Sequence, residues 1–79
     1  MRDYVKFLRK LPRSLRERVV TVVLKIAEND LKTLDIKPLA GKGQFYRCRV
    51  GKIRIIFERR ETGNIIYHVG FRGDVYKKM

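Results

Sequence analysis

Three closely spaced strand-like segments between residues 44 and 70 constrain the fold more than any other feature. They are Gln44–Val50, Lys52–Arg59 and Asn64–Gly70, each rich in β-branched and aromatic residues. Gly51 and Gly63 separate them, at positions where a tight turn would lie. Short apolar segments separated by glycine are typical of strands joined by hairpins. The sequence therefore predicts an antiparallel meander.

Alternation of side chains divides the first two segments into an apolar and a charged face, because successive residues of a strand point in opposite directions. The apolar face takes Tyr46, Cys48, Val50, Ile53, Ile55 and Phe57. The opposite face takes Arg47, Arg49 and Arg54, together with Ile56 and Glu58. The sheet can thus bury one face and offer three arginines on the other, which indicates an anion-binding surface.

The first 30 residues show helical rather than strand periodicity. Tyr4, Phe7, Leu8 and Leu11 follow the i, i+3, i+4, i+7 pattern of an amphipathic helix. Pro12 ends that helix and suits the first turn of a second one, which is expected to run to about Ala27. Residues 31–43 are expected to connect the helices to the sheet. The predicted fold class is α+β, a helical hairpin packed on one face of an antiparallel sheet of at least three strands.

Length and composition favour a single domain spanning residues 1–79. One cysteine excludes an internal disulfide, and one histidine with one cysteine cannot form a structural zinc site. No apolar run approaches the roughly 20 residues needed to cross a bilayer, and no signal peptide is recognisable. We therefore expect a cytoplasmic protein that needs neither cofactor nor metal and has no membrane partner.

Positive charge is the strongest global signal, with 20 Lys and Arg against 8 Asp and Glu and a net charge of +12. Residues 1–18 carry seven basic and two acidic groups, and residues 42–60 carry seven basic and one acidic group. Such concentrated charge favours a polyanionic partner, most simply nucleic acid, bound with strong salt dependence. The alternative is a charged face that only keeps the protein soluble.

Arginine, tyrosine and one histidine are the residues left to carry chemistry. Guanidinium groups pair bidentately with phosphate oxygens and can stabilise a pentacoordinate phosphate. RNA supplies its own nucleophile, the 2′-hydroxyl, so such a set could cleave it without metal. His68 is predicted to share a face with Ile66 and Arg72 and could act as acid or base, although a strand histidine with a purely structural role is the alternative. Cys48 is expected to be a core residue.

Four segments together resemble the RelE/ParE toxin superfamily: residues 34–41, 45–51, 53–57 and 68–76. The most specific parts are Tyr-Arg-x-Arg-Val-Gly-x-x-Arg at 46–54 and Gly-x-Arg-x-Asp-Val-Tyr at 70–76. The resemblance implies a type II toxin whose RelE branch cleaves messenger RNA in the ribosomal A site. It also implies a cognate acidic antitoxin, and a homodimer or a hetero-oligomer with that antitoxin is possible.

The resemblance also implies site residues. Arg47 and Arg49 would orient the RNA and help activate the attacking hydroxyl, and Arg54 would contact the scissile phosphate. Arg72 would stabilise the transition state and leaving group, and Tyr76 would stack on or orient the substrate base. Further RNA contacts are expected from Lys42, Lys52, His68 and Lys77.

Family members usually begin with a strand, whereas this chain opens almost directly into helix. The sheet is therefore expected to lack that strand and to leave an edge that a partner or a second copy could fill. The ParE branch, which poisons DNA gyrase, shares the scaffold but generally not the arginine–tyrosine set. A ParE-like gyrase inhibitor and a non-catalytic RNA-binding domain remain the alternatives to an endoribonuclease.

Overall fold

The structure, a computed structural model, describes residues 3–39, 41 and 43–71. Within these residues two helices precede four strands. Their bounds are α1 Asp3–Arg9, α2 Arg13–Ala27, β1 Asp35–Pro38, β2 Phe45–Val50, β3 Ile53–Arg60 and β4 Gly63–Phe71. The helices pack on one face of an antiparallel sheet with the order β1-β2-β3-β4. The predicted α+β class and the helical hairpin are confirmed.

Both ends of α2 follow from its local sequence. Pro12, with φ −53°, stands just before the helix, and its carbonyl accepts the Arg16 amide at 2.8 Å. At the other end Asn29 adopts a positive φ of 59°, which asparagine tolerates better than most residues. The amides of Asn29 and Asp30 then donate back to Ile26 and Lys25, the paired bonds of a Schellman motif. The prediction that the second helix runs to about Ala27 is confirmed.

Strand β1 forms within the segment that was predicted to be only connecting chain. Asp35–Pro38 pairs antiparallel with β2, and Ile36 lies opposite Cys48. The prediction for residues 31–43 is therefore wrong over these four residues. Among the described residues the chain opens with α1, and the sheet still has four strands because β1 extends it beyond β2.

A β-bulge in β4 changes which side chains share a face. Ile56 of β3 pairs with His68, but the next residue, Phe57, pairs with Ile66, so Tyr67 is the extra residue. Ile66 joins the core under the helices, whereas His68 lies in register with Ile56 on the other face. The expectation that Ile66 and His68 share a face is wrong, because simple alternation does not hold across a bulge.

The core lies between the helices and the sheet. Val19 and Ile26 of α2 are fully buried, and so are Ile53, Ile55 and Phe57 of β3. Asn64 of β4 also donates to the Ile26 carbonyl at 2.8 Å, which fixes the end of α2 to the sheet. Cys48 is fully buried in the same core, as predicted, and burial is the main reason that its pKa rises to about 11.

Candidate nucleic-acid interface

The sheet face turned away from the helices, called the outer face below, carries three rows of side chains that run across the strands. The pairing of the strands defines the rows. The end row contains Asp35, Arg49, Arg54 and Gly70. The middle row contains Lys37, Arg47, Ile56 and His68. The aromatic row contains Phe45, Glu58 and Ile65 by register, together with Tyr67, the bulge residue that contacts Phe45 and Glu58.

The end row neutralises part of its own charge. The Nε atom of Arg49 lies 2.7 Å from Oδ2 of Asp35, and both side chains are partly exposed. An exposed pair of this kind contributes about 1 kcal/mol or less to stability. Arg49 therefore remains accessible to an anion that competes with Asp35 for its guanidinium.

Arg54 lies on the outer face, as predicted, but it is only 7% exposed. Its Nη1 atom donates to the carbonyl of Gly51 at 2.8 Å and to the carbonyl of Ile53 at 3.1 Å. Gly51 begins the two-residue turn between β2 and β3 with a φ of 58°, a conformation that glycine adopts readily. The guanidinium thus holds the turn that presents Lys52, which is exposed.

The middle row places two cations side by side without a carboxylate. Lys37 and Arg47 are register partners on neighbouring strands. In the part of the chain that the structure describes, neither cation forms an ion pair. Like charges placed directly opposite each other on a sheet are destabilising, so a bound anion would relieve their repulsion. His68 lies in the same row, half-buried.

The aromatic row carries two rings, one of which is hydrogen-bonded to a carboxylate. The ring centroids of Phe45 and Tyr67 are 4.9 Å apart, with 58° between the ring planes. Oε1 of Glu58 accepts hydrogen bonds from the Tyr67 hydroxyl at 3.2 Å and from Nε of Arg60 at 2.6 Å. Nη2 of Arg60 also donates to the Tyr67 hydroxyl at 3.3 Å. The hydrogen bond to Glu58 is the main reason that the pKa of Arg60 rises further.

Four of the nine predicted site residues lie together on the outer face: Arg47, Arg49, Arg54 and His68. Lys52 is beside them in the β2–β3 turn. Lys42, Arg72, Tyr76 and Lys77 lie outside the described residues. Their predicted roles remain predictions.

Sequence reasoning missed Lys37, Phe45 and Tyr67 as candidate site residues. Lys37 was missed because β1 was not recognised, and the alternation of Leu34, Ile36 and Pro38 around it was the available signal. Tyr67 was missed because the bulge puts it on the outer face next to His68. Phe45 has the same parity as Arg47 and Arg49, so alternation alone could have found it.

Two features are absent from the described part of the chain. None of its helices is long and apolar enough to cross a membrane. Its His, Cys, Asp and Glu residues nowhere gather in a group of three or more that could hold a metal ion.

Comparisons with known proteins indicate the family to which this chain belongs. No protein-family model matches the chain. The chain is 34% identical over 79 residues to Toxin RelE3 of Methanocaldococcus jannaschii, which covers 95% of this chain and 89% of the relative. It also superposes with a TM-score of 0.76 on a chain from the crystal structure of the RelB-RelE antitoxin-toxin complex from Methanococcus jannaschii, at 28% identity over 95% of this chain and 91% of that chain. The resemblance drawn from the sequence is confirmed, and the chain belongs to the RelE toxin family.

Proposed function

We propose that this chain is the toxin of a type II toxin–antitoxin system and acts as a ribosome-dependent endoribonuclease in the cytoplasm. The observation that carries the proposal is the middle row, where Lys37 and Arg47 stand side by side without a carboxylate partner among the described residues. Among the described residues the outer face also has two carboxylates, Asp35 and Glu58, and each already pairs with an arginine other than Arg47. The uncompensated charge therefore lies at the centre of the face, where a phosphate would bind.

The reaction that fits this surface is an internal transfer within the RNA. The 2′-oxygen attacks the adjacent phosphorus, the bond from phosphorus to the 5′-oxygen breaks, and the products are a 2′,3′-cyclic phosphate and a free 5′-hydroxyl. The attacking hydroxyl gives up a proton and the leaving oxygen takes one. The cations of the middle row, above all Arg47, stabilise the negative charge that grows on the phosphate oxygens. His68, in the same row, supplies an imidazole that can move a proton near neutral pH.

The other predicted site residues fit around this centre. Arg49 would bind the phosphate from one side by exchanging its ion pair with Asp35 for one with the RNA. Lys52 would contact the RNA backbone beyond the turn. Arg54 would act on the scissile phosphate through the part of its guanidinium that does not hold the turn. The assigned roles of Arg72 and Tyr76, leaving-group stabilisation and base orientation, follow from the family resemblance.

An acidic antitoxin is the natural inhibitor of such a surface. The similar solved structure contains an antitoxin together with its toxin. A net charge of +12 would attract an acidic chain at long range and weaken the complex as salt rises. Purification from the native operon should therefore yield a small acidic protein bound to this chain.

The test is cleavage of a defined messenger RNA on programmed ribosomes. Purified protein should cut the RNA at the A-site codon and leave a 2′,3′-cyclic phosphate end, detectable by end mapping. Arg47→Ala should lower the single-turnover rate at least ~100-fold, the size expected when a transition-state charge donor is removed. The matched control is Arg13→Ala, which removes the same charge from an exposed position in α2 on the other side of the sheet.

Intact message with the wild-type protein would contradict the proposal. Inhibition of DNA supercoiling in the same preparation would then favour the ParE-like alternative. Binding to RNA without cutting it would leave a non-catalytic RNA-binding domain. Equal cutting by the Arg47→Ala and Arg13→Ala proteins would remove Arg47 from the site.

A further inference from the structure

We propose that the aromatic row is a base-stacking site, in which Phe45 and Tyr67 receive a nucleobase of the single-stranded RNA bound at the middle row. The inference rests on the proposed function, because it names a contact for that substrate. Phe45 is half-buried and Tyr67 is 48% exposed. Aromatic rings that are partly open to solvent beside a basic surface are the usual platform for unpaired bases.

The Tyr67 ring is held in place before any ligand binds. Its hydroxyl donates to Glu58 and accepts from Arg60, and its ring packs on Phe45 with the centroids 4.9 Å apart. An exposed tyrosine normally gives up rotamer freedom when it stacks on a ligand. Here the hydrogen-bond network has already removed part of that rotamer freedom, so stacking on a base would cost little further side-chain entropy.

The distance from the proposed phosphate site suits an RNA strand. Phe45 precedes Arg47 by two residues on β2 and points to the same face, which places them about 7 Å apart along the strand. The middle row and the aromatic row therefore present cations and rings side by side. A polynucleotide has the same alternation of phosphate and base.

The charge around the two rings favours RNA over an apolar protein segment as the ligand that stacks on them. The cations of the middle row, Lys37 and Arg47, border the aromatic row and favour an anionic ligand. Glu58 is the carboxylate within the aromatic row, and its Oε1 is already shared by Arg60 and Tyr67. A nucleotide can stack its base on the rings and pair its phosphate with the cations.

A purely structural reading of the same contact is a cross-strand aromatic pair that only stabilises the sheet. Such pairs contribute roughly 0.2–1 kcal/mol to folding wherever they occur. The two readings differ in what happens to RNA when the ring is removed. Only the stacking site predicts a loss of affinity that depends on the presence of a base.

The experiment measures binding of a fluorescein-labelled 2′-O-methyl oligonucleotide, which cannot be cut, by fluorescence anisotropy. Tyr67→Ala should weaken binding roughly 5- to 100-fold, the range for loss of one base–aromatic stack. Tyr67→Phe keeps the ring but loses the hydroxyl that holds it, so it should weaken binding far less than Tyr67→Ala does. The control is Leu24→Ala, which removes a similarly exposed apolar side chain from α2. The salt dependence of binding should keep its slope in Tyr67→Ala, since no charge is lost.

A set of oligonucleotides with one abasic position each makes the test specific. Wild-type affinity should fall at one position, and Tyr67→Ala should be less sensitive to the base at that position because only the Phe45 ring remains. Equal sensitivity in both proteins overturns the inference but leaves the proposed function standing. Failure of the wild-type protein to bind the oligonucleotide overturns the inference alone, whereas failure to cut message on programmed ribosomes overturns the proposed function and the inference with it.

A second variant guards against loss of folding in Tyr67→Ala. The chain contains no tryptophan, so Tyr67→Trp introduces a single reporter on the aromatic row. Stacking on a base should quench its fluorescence as the oligonucleotide is added, and the abasic oligonucleotide should quench it less. Unchanged fluorescence on saturation with the intact oligonucleotide would overturn the stacking site.

Discussion

The two faces of the same sheet obey different rules. On the face under the helices, Ile53, Ile55 and Phe57 are fully buried and apolar, as a sheet face that packs on a core requires. On the outer face polar and charged residues dominate, yet Ile56 is also fully buried and Arg54 nearly so. Alternation therefore predicts the face on which a side chain lies but not how much water it meets.

The outer-face residues Arg54 and Ile56 are buried because of the position of β3 within the sheet. β3 is flanked by β2 and β4, so its outer-face residues have neighbours on both sides. Ile56 lies between Arg47 and His68 in the middle row. A long polar side chain covers apolar surface with its stem and keeps its charged head in water. The outer face is thus a charged surface with an apolar centre rather than a uniformly solvated one.

The largest expected effect contrasts a residue of the covered face with one of the outer face. Phe57→Ala should lower the free energy of unfolding by about 3–5 kcal/mol, because a fully buried ring is removed from the core. Arg47→Ala, which breaks no ion pair among the described residues, should change it by no more than ~0.5 kcal/mol. Urea denaturation followed by circular dichroism measures both. Similar losses in the two variants would mean that the outer face is as much a core as the covered one.

Arg54 provides the sharpest test of the boundary between the two faces. Arg54→Met keeps the apolar stem but leaves the carbonyls of Gly51 and Ile53 without their donor, so it should cost about 1–3 kcal/mol of unfolding free energy. The matched control is Arg49→Met, whose ion pair is half-exposed and worth about 1 kcal/mol or less. Equal stability of the two variants would show that Arg54 does not hold the turn.

Much of the fold could be predicted from the sequence because its periodic signals are strong. The stripe of α1, the proline before α2 and the glycine turns each act locally, and the structure confirms the elements that they indicate. Arg47, Arg49 and Arg54 were placed on one face by alternation alone, and the register bears that out. Local rules were enough for these features.

The features that were missed depend on contacts distant in sequence. Strand β1 is only four residues long and includes Pro38, so its own pattern was weak, and pairing with β2 makes it a strand. The bulge at Tyr67 is visible only when β3 and β4 are aligned. The burial of Arg54 depends on a hydrogen bond to a carbonyl of the β2–β3 turn, which the sequence alone does not reveal. These are tertiary effects that override local preference.

The smallest expected effect concerns Cys48, which lies between Arg47 and Arg49 in the chain but points into the covered face. Burial, followed by the nearby carboxylate of Asp35, raises its pKa from 9.0 to about 11, while Arg47 acts in the opposite direction. Above pH 9 the unfolded chain therefore loses the thiol proton before the folded chain does. The contribution to stability is fully present below pH 9 and is lost as the pH rises towards 11.

Comparison with Cys48→Ala isolates this effect from the titration of other groups. Between pH 8 and pH 10 the unfolding free energy of the wild type should fall by about 1 kcal/mol more than that of Cys48→Ala. Urea denaturation of both proteins at each pH measures the difference. Parallel pH profiles would show that the thiol ionises as easily in the folded protein as in the unfolded chain. Cys48 would then not be sealed in the core, and the contrast between the two faces would be weaker than the register implies.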